Sequence, residues 1–310
     1  MASGPSLPLP PEAFPLRELS DPLLVDPGPR LLRAVAEAYR EAAPALVDPT
    51  VADLADLAGE ESAGGGESEE GDHTPPDDRP TLRVLAGESA VDAATAGFRS
   101  ASRIAALLDA SAVDLRVLDA PQPNAVLAGA ESGFALIEGD RGGASDGGKF
   151  RWHRVGDDAS LRGRYGSRFA EAEPYRLRTP SRRRVYEGFA SRCDGAVAAA
   201  VLRALDVPDD SSVDETAGPS PEETRIRAYA VGAREAVLDR TLRRACEDAG
   251  LGSPSTFTRV KRLLREAGLV ETEPVPQPVG RPRTRLVARG ALAAAEGPEE
   301  TVAAVRGVAD

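Results

Sequence analysis

The stretch Gly250–Arg289, GLGSPSTFTRVKRLLREAGLVETEPVPQPVGRPRTRLVAR, decides how the rest of the chain is read. Ser253 is placed to cap a helix, and Pro254 follows at the first helical position, where a missing N–H costs nothing. Phe257, Val260, Leu264 and Ala267 recur at i, i+3, i+7 and i+10, one apolar helical face. Ser255, Thr258, Arg259, Arg262 and Glu266 fall on the opposite face, flanked by Lys261 and Arg265. Gly268 supplies the stop. Leu269–Val275 then alternates as a short edge strand, the turn PQPVGRP follows, and Arg283–Val287 provides a second strand.

Upstream, Ile226, Ala230, Ala233 and Val237 are spaced for one helix. Leu238, Leu242, Ala245, Cys246 and Ala249 are spaced for another, which Gly250 and Gly252 end in a tight turn. Helix, short turn, capped helix and hairpin is the order of a winged helix-turn-helix. Charge supports it. Arg225–Arg289 carries 14 Lys+Arg against 7 Asp+Glu, on a chain whose net charge is −12. A basic module on an acidic chain points to a polyanion, and double-stranded DNA is the expected partner. The bland alternative is a three-helix packing domain with a solvated arginine face.

At the wing tip, Pro282 disfavours helix at Arg281 and holds it extended, a form that can enter a narrow minor groove. The reading therefore places Ser255, Thr258, Arg259 and Arg262 at the major groove. Lys261 and Arg265 are assigned to phosphates, and Arg281, Arg283 and Arg285 to the wing. Two half-sites raise specificity, so a homodimer is expected.

At 310 residues and 41% hydrophobic, the chain has room for two cores. No apolar run approaches the roughly 20 residues that span a bilayer. The N-terminus lacks the pattern of a secretory signal. A cytoplasmic protein with no membrane partner is expected. Cys193 and Cys246 lack metal-ligand spacing and are read as reduced, buried thiols on helices of different domains. Lys149 and Lys261 are the only lysines beside 36 arginines, and Asp+Glu number 50. That composition fits a high-salt, GC-rich organism. Counterion release weakens as salt rises, so such a protein would depend more on base contacts, shape and bridging water.

The N-terminal part reads as an α/β domain with a mixed, partly parallel sheet. Strands Pro22–Asp26, Thr81–Ala86 and Val113–Leu118 alternate with helices over 28–43 and Ser89–Leu108, which implies parallel pairing. Strands Asn124–Ala128, Gly133–Glu138 and Lys149–Val155 continue as a meander. A helix over Arg162–Glu173 and a long helix over Ser181–Leu205 follow. The expected domains are a flexible N-terminus at 1–20 and an α/β regulatory domain at 21–207, with a disordered acidic insertion at 48–80. After them come a linker at 208–222, the winged helix-turn-helix at 223–290, and a C-terminal helix or tail at 291–310. In that tail, Val302, Val305 and Val308 are spaced to pair subunits.

No catalytic constellation stands out. There is no GxxxxGK[ST] phosphate loop, and no GxGxxG follows a strand. His73 lies in the insertion and His153 beside Trp152. No metal site and no cofactor are expected. Arg176, Arg178, Arg182, Arg183 and Arg184 are read as a solvated helix start paired with acidic neighbours, in preference to an anion site. Two rival readings remain open. One is a protein-interaction adaptor that uses the winged helix for packing, which salt bridges covering Arg259 and Arg262 would favour. The other is an enzyme with its site in the α/β domain.

The run STFTRVKRLLREAGLVETEPVPQPVGRPRTRL resembles the C-terminal winged helix of the haloarchaeal TbsP-type transcriptional regulators. LLVDPGPRLLRAVAEAYREA, TLRVLAGESAVD, FALIEGD and YRLRTPSRRRVYEGF resemble earlier parts of the same family. The resemblance covers most of the chain and is strongest over Arg225–Arg289. It implies a DNA-binding regulator of sugar-metabolism genes. The N-terminal domain is then expected to take a small-molecule effector or to dimerise. The proline-rich start and the 48–80 stretch depart from the family pattern.

Overall fold

The structure, a computed structural model, describes residues 6–7, 14–15, 19–63, 81–138, 150–156, 160–208, 218–277 and 282–308. In chain order its elements begin with β1 (Ser6–Leu7), β2 (Phe14–Pro15), β3 (Leu23–Val25), α1 (Pro29–Ala42), α2 (Pro44–Val47) and α3 (Val51–Ala63). Then come β4 (Leu82–Ala86), α4 (Glu88–Ala94), α5 (Phe98–Asp109), β5 (Val113–Val117), β6 (Val126–Ala128), β7 (Gly133–Glu138), β8 (Phe150–Gly156) and α6 (Ser160–Glu171). The remainder is α7 (Arg182–Arg192), α8 (Gly195–Asp206), α9 (Pro221–Arg234), α10 (Asp239–Asp248) and α11 (Pro254–Glu266), followed by β9 (Val270–Val275), β10 (Arg283–Ala288), α12 (Gly290–Ala294) and α13 (Pro298–Val305). Two compact units result: residues 1–48, 67–95 and 106–176, and residues 49–66, 96–105 and 177–310.

The first unit is built on a six-stranded sheet of order β5-β4-β3-β6-β7-β8. The β3–β4 and β4–β5 pairs are parallel, and the pairs from β3 through β6 and β7 to β8 are antiparallel. This is the expected mixed α/β arrangement. β3 lies inside the sheet, and Leu23, Leu24 and Val25 are all fully buried. Both faces are covered, which is why β3 reads as a continuous apolar run instead of alternating. Leu23 and Val25 join Leu85, Leu118 and Val126 against Tyr165 and Phe169 of α6. The Arg116 guanidinium lies 4.6 Å from the Phe169 ring centroid. It also donates to the Phe169, Ala170 and Ala172 carbonyls at the end of α6.

The single helix expected over Ser89–Leu108 is instead α4 and α5, broken at Thr95–Gly97. The Thr95 hydroxyl donates to the Val91 carbonyl at 2.8 Å, the local competition that lets a threonine end a helix.

Part of the 48–80 stretch is corrected outright: Val51–Ala63 forms α3. Thr50 and Asp53 cap each other reciprocally, the Thr50 N–H donating to Asp53 at 2.8 Å and the Asp53 N–H to the Thr50 hydroxyl at 3.2 Å. Leu54 enters the core of the second unit. Acidic composition concealed this short amphipathic turn pattern. Residues 64–80, with His73, lie outside the described residues.

The long helix expected over Ser181–Leu205 is α7 and α8, divided where Asp194 caps α8 by accepting from the Val197 N–H at 2.8 Å. Neither helix belongs to the α/β unit. Val185, Phe189, Val201, Leu202 and Leu205 share one apolar cluster with Ile226, Tyr229, Leu242, Phe257 and Leu264. The division therefore falls at 176/177, not at a 208–222 linker. Residues 209–217 of that linker lie outside the described residues. Ser220 and Glu223 close a capping box on α9.

α9 is the axis of this unit. Residues Ala228–Ala233 are all buried, as expected of a helix with packing partners on every side. Arg227, also buried, donates to the Ala204 and Val207 carbonyls at the end of α8. α7 and α10 approach so closely that a Cβ on Gly188 would sit 2.5 Å from the Ala249 nitrogen. Cys193 and Cys246, expected in different domains, both border this one cluster. The tail forms α12 and α13, and Leu292, Val302 and Val305 are buried in the same cluster. The valines assigned to subunit pairing are thus spent on the chain's own packing.

Candidate nucleic-acid interface

α9, α10 and α11 with the β9–β10 hairpin form the winged helix-turn-helix. Gly250 (φ 75°) and Gly252 (φ 155°) make the turn between α10 and α11 in conformations that side chains avoid. Ser253 caps α11 by accepting from the Thr256 N–H, with Pro254 in the first turn. Phe257, Val260 and Leu264 are buried, and the Phe257 ring stacks on Tyr229 with centroids 5.7 Å apart. β9 and β10 pair antiparallel from Arg283 opposite Val275 to Ala288 opposite Val270. A bridge from Leu238 to Arg285, and the Leu286 N–H donating to the Val237 carbonyl, fasten the wing to the start of α10. Arg289 ties its base by donating to Glu271 and Glu273 at 3.0 Å each. The hydrogen bond to Glu271, then that to Glu273, raises the Arg289 pKa.

The exposed side of α11 collects Ser255, Thr258, Arg259, Arg262 and Arg265. The Ser255 hydroxyl lies 2.8 Å from that of Ser253, and Thr258 donates back to the Pro254 carbonyl at 3.0 Å. Arg259 is ion-paired with Glu222 on α9, and its side chain stays 52% exposed. Arg262 is 3.8 Å from Glu266 and 67% exposed. Arg265 is exposed and makes no ion pair among the described residues. Arg283 and Arg285 are exposed on β10, whereas Arg281 lies outside the described residues.

Lys261 departs from its assigned place. It lies on the inward side of α11, its side chain 21% exposed, and its Nζ donates to Asp239 at 3.1 Å. Asp239, 4% exposed at the start of α10, also accepts from the Tyr229 hydroxyl and from Arg243, each at 2.6 Å. Burial, then this hydrogen bond, drives the Tyr229 pKa far above its ordinary value. One carboxylate thus joins α9, α10 and α11. A buried charge persists only with such partners, and the N-terminus of α10 adds a favourable dipole.

Apolar spacing alone concealed Asp239. It also hid Arg240 and Arg244, exposed on α10 and four residues apart. The signal for those two was their placement opposite Leu242, Ala245 and Cys246. The other basic cluster divides. Arg182 is buried against Asp206 and also donates to the Pro49 carbonyl, so it is not a solvated residue. Arg183 pairs with Glu187 at 2.8 Å, while Arg178 and Arg184 are exposed.

Hydroxyls and guanidiniums spaced along one helix face can donate to base edges and to phosphates. The adaptor reading predicted salt bridges covering Arg259 and Arg262. Pairs are present, but half or more of each side chain remains in solvent. No helix among the described residues is long and apolar enough to cross a membrane.

A family model for the C-terminal helix-turn-helix domain of TbsP-like transcriptional regulators matches residues 181–306, and one for the TbsP-like N-terminal domain matches residues 72–180. Their boundary falls within a few residues of the 176/177 division between the units. No curated protein and no solved structure matches the chain. With the helix-turn-helix formed and both family domains matched in order, the chain belongs to the TbsP-like family of DNA-binding transcriptional regulators.

Proposed function

We propose that the chain reads duplex DNA as a homodimer, with α11 in the major groove. Ser255, Thr258, Arg259 and Arg262 meet base edges, Arg265 meets phosphate, and Arg283 and Arg285 carry the wing along the backbone. Arg240 and Arg244 add phosphate contacts from α10. Lys261 acts from within, holding α11 through Asp239. The carrying observation is the exposed polar and basic face of α11 opposite its buried Phe257, Val260 and Leu264.

The first unit offers one place for effector sensing. Open α/β sheets take ligands at the carboxyl ends of their strands, where the strand order reverses. Here β3 lies between parallel β4 and antiparallel β6. Asp26 follows β3 with φ 52°, and its carboxylate accepts the Gln122 N–H at 2.6 Å. A non-glycine residue held in that region is a strain often kept for function. The acidic, arginine-biased composition supports a halophilic setting, and sugar-related target genes follow from the family resemblance alone.

The test is selection of genomic DNA fragments by the full chain in near-molar potassium chloride, with Arg259→Ala alongside. Discrete sites that the variant loses are expected. No enrichment by a folded wild-type chain would reject the reading in favour of the adaptor.

A further inference from the structure

The second unit holds a cleft of about 300 Å³, at the small end of ligand pockets. Its walls are the Arg178–Pro180 segment, Phe98 and the first turns of α9, and it reaches the Gly250–Leu251 turn that leads into α11. Arg178 and Arg225 line it, and among the described residues no carboxylate does. In a chain with 50 Asp+Glu that is a local inversion of charge. Arg184 stands beside it, its Nε 3.3 Å from where a Gly250 Cβ would lie.

Arg225 is oriented by donating from Nε to the Leu251 carbonyl at 2.8 Å. Its terminal nitrogens have no partner among the described residues. Arg178 is exposed and makes no ion pair among them. Thr179 adds a hydroxyl, and Phe98, Pro180 and Pro221 give apolar walls. Guanidinium forks over an apolar floor suit a small molecule carrying a phosphate.

We propose that this cleft binds a small phosphorylated metabolite and that α11 senses its occupancy. The carbonyl that holds Arg225 belongs to the turn before α11. Glu222, three residues earlier on α9, holds Arg259. A ligand that draws Arg225 toward itself acts on both contacts. The sensing step rests on the DNA-binding reading; the binding step does not.

Calorimetry on the full chain tests it, with inorganic phosphate and glycerol 3-phosphate as probes and glycerol as the uncharged control. Saturable binding of one equivalent of each anion is expected, with none of glycerol. Arg178→Gln, at an exposed position, should weaken the anions about ten-fold or more with an unchanged melting curve, and Arg225→Lys should weaken them less. Glycerol 3-phosphate should also shift affinity for selected DNA by about five-fold or more. Absence of saturable binding, or equal binding by Arg178→Gln, overturns the site. Binding with unaltered DNA affinity overturns the sensing step. If the anions fail to bind while Arg178→Gln weakens all duplexes alike, Arg178 is a DNA phosphate contact; the site is then wrong and the regulator stands. Anion binding by a chain that selects no DNA upholds the site and removes the regulator reading.

Discussion

The guanidinium of Arg259 on α11 is ion-paired with the carboxylate of Glu222 on α9, 37 positions away in sequence. The side chain assigned to base reading is therefore tied to the scaffold. An exposed pair of this kind is worth about 0–1 kcal/mol, small enough for a base edge or phosphate to replace it. A bidentate arginine–guanine contact is worth about 1–3 kcal/mol of discrimination.

Glu222→Gln should accordingly raise DNA affinity by a factor of about 2–5. Fluorescence anisotropy with a selected site and a random duplex would read it. A loss of affinity in this variant would mean that the Glu222 pair prepares Arg259 for binding instead of restraining it.

Arg259→Ala and Arg283→Ala should differ in kind. The first should reduce the ratio of specific to random binding about ten-fold or more. The second should weaken both alike and lower the salt slope by about 1. Equal losses on both duplexes for Arg259→Ala would remove it from base readout.

Lys261 and Arg265, a helical turn apart, should also separate. Lys261→Met withdraws one partner from buried Asp239 and should cost about 1–3 kcal/mol of stability, with the salt slope of DNA binding nearly unchanged. Arg265→Ala should reverse that pattern. Asp239→Ala should cost about 3–5 kcal/mol, because Arg243 and Lys261 lose their shared counter-charge. Urea unfolding of the variants would measure all three.

Gly188→Ala probes the α7–α10 contact. The added methyl would meet backbone atoms of Ala249 at 2.5–2.6 Å, which no side-chain rotation relieves. A loss of about 1–3 kcal/mol is expected. An unchanged melting temperature would show that the two helices separate freely.

Alkaline pH should destabilise the second unit. Burial pushes the Cys193 thiol up to about 11 from its ordinary 9.0 and raises Cys246 well above that value. Tyr229 moves the same way, first through burial and then through its bond to Asp239. These groups are neutral when protonated, and the unfolded chain releases its protons first. Stability is then complete below about pH 8.5 and falls as pH rises through the folded values. Melting temperatures between pH 7 and 11 should decline from about pH 9, more gently in Cys246→Ala. A flat profile would contradict the burial of these groups.

The winged helix was legible because its signals are local: a cap at Ser253, apolar spacing from Phe257 to Leu264, glycines at 250, 252 and 268, and alternating strands. The mixed sheet was legible for the same reason, since β3 announces itself as an apolar run and β4 and β5 by alternating apolar positions. Breaks were harder. Asp194 starts a helix and Thr95 ends one, each through a single side-chain hydrogen bond, which periodicity does not register. α3 lay hidden in an acidic stretch, where composition outweighed the Thr50–Asp53 box.

By itself the sequence determined most of the strands and the helices of the winged unit, which face of α11 is polar, and where the positive charge gathers. Those follow from interactions between residues a few positions apart. The tertiary structure alone decided that α7 and α8 join the helix-turn-helix unit, that Lys261 turns inward to Asp239 while Arg262 faces solvent, and that Arg178 and Arg225 meet across one cleft. Each of these depends on which apolar faces bury each other, and no local spacing specifies that pairing.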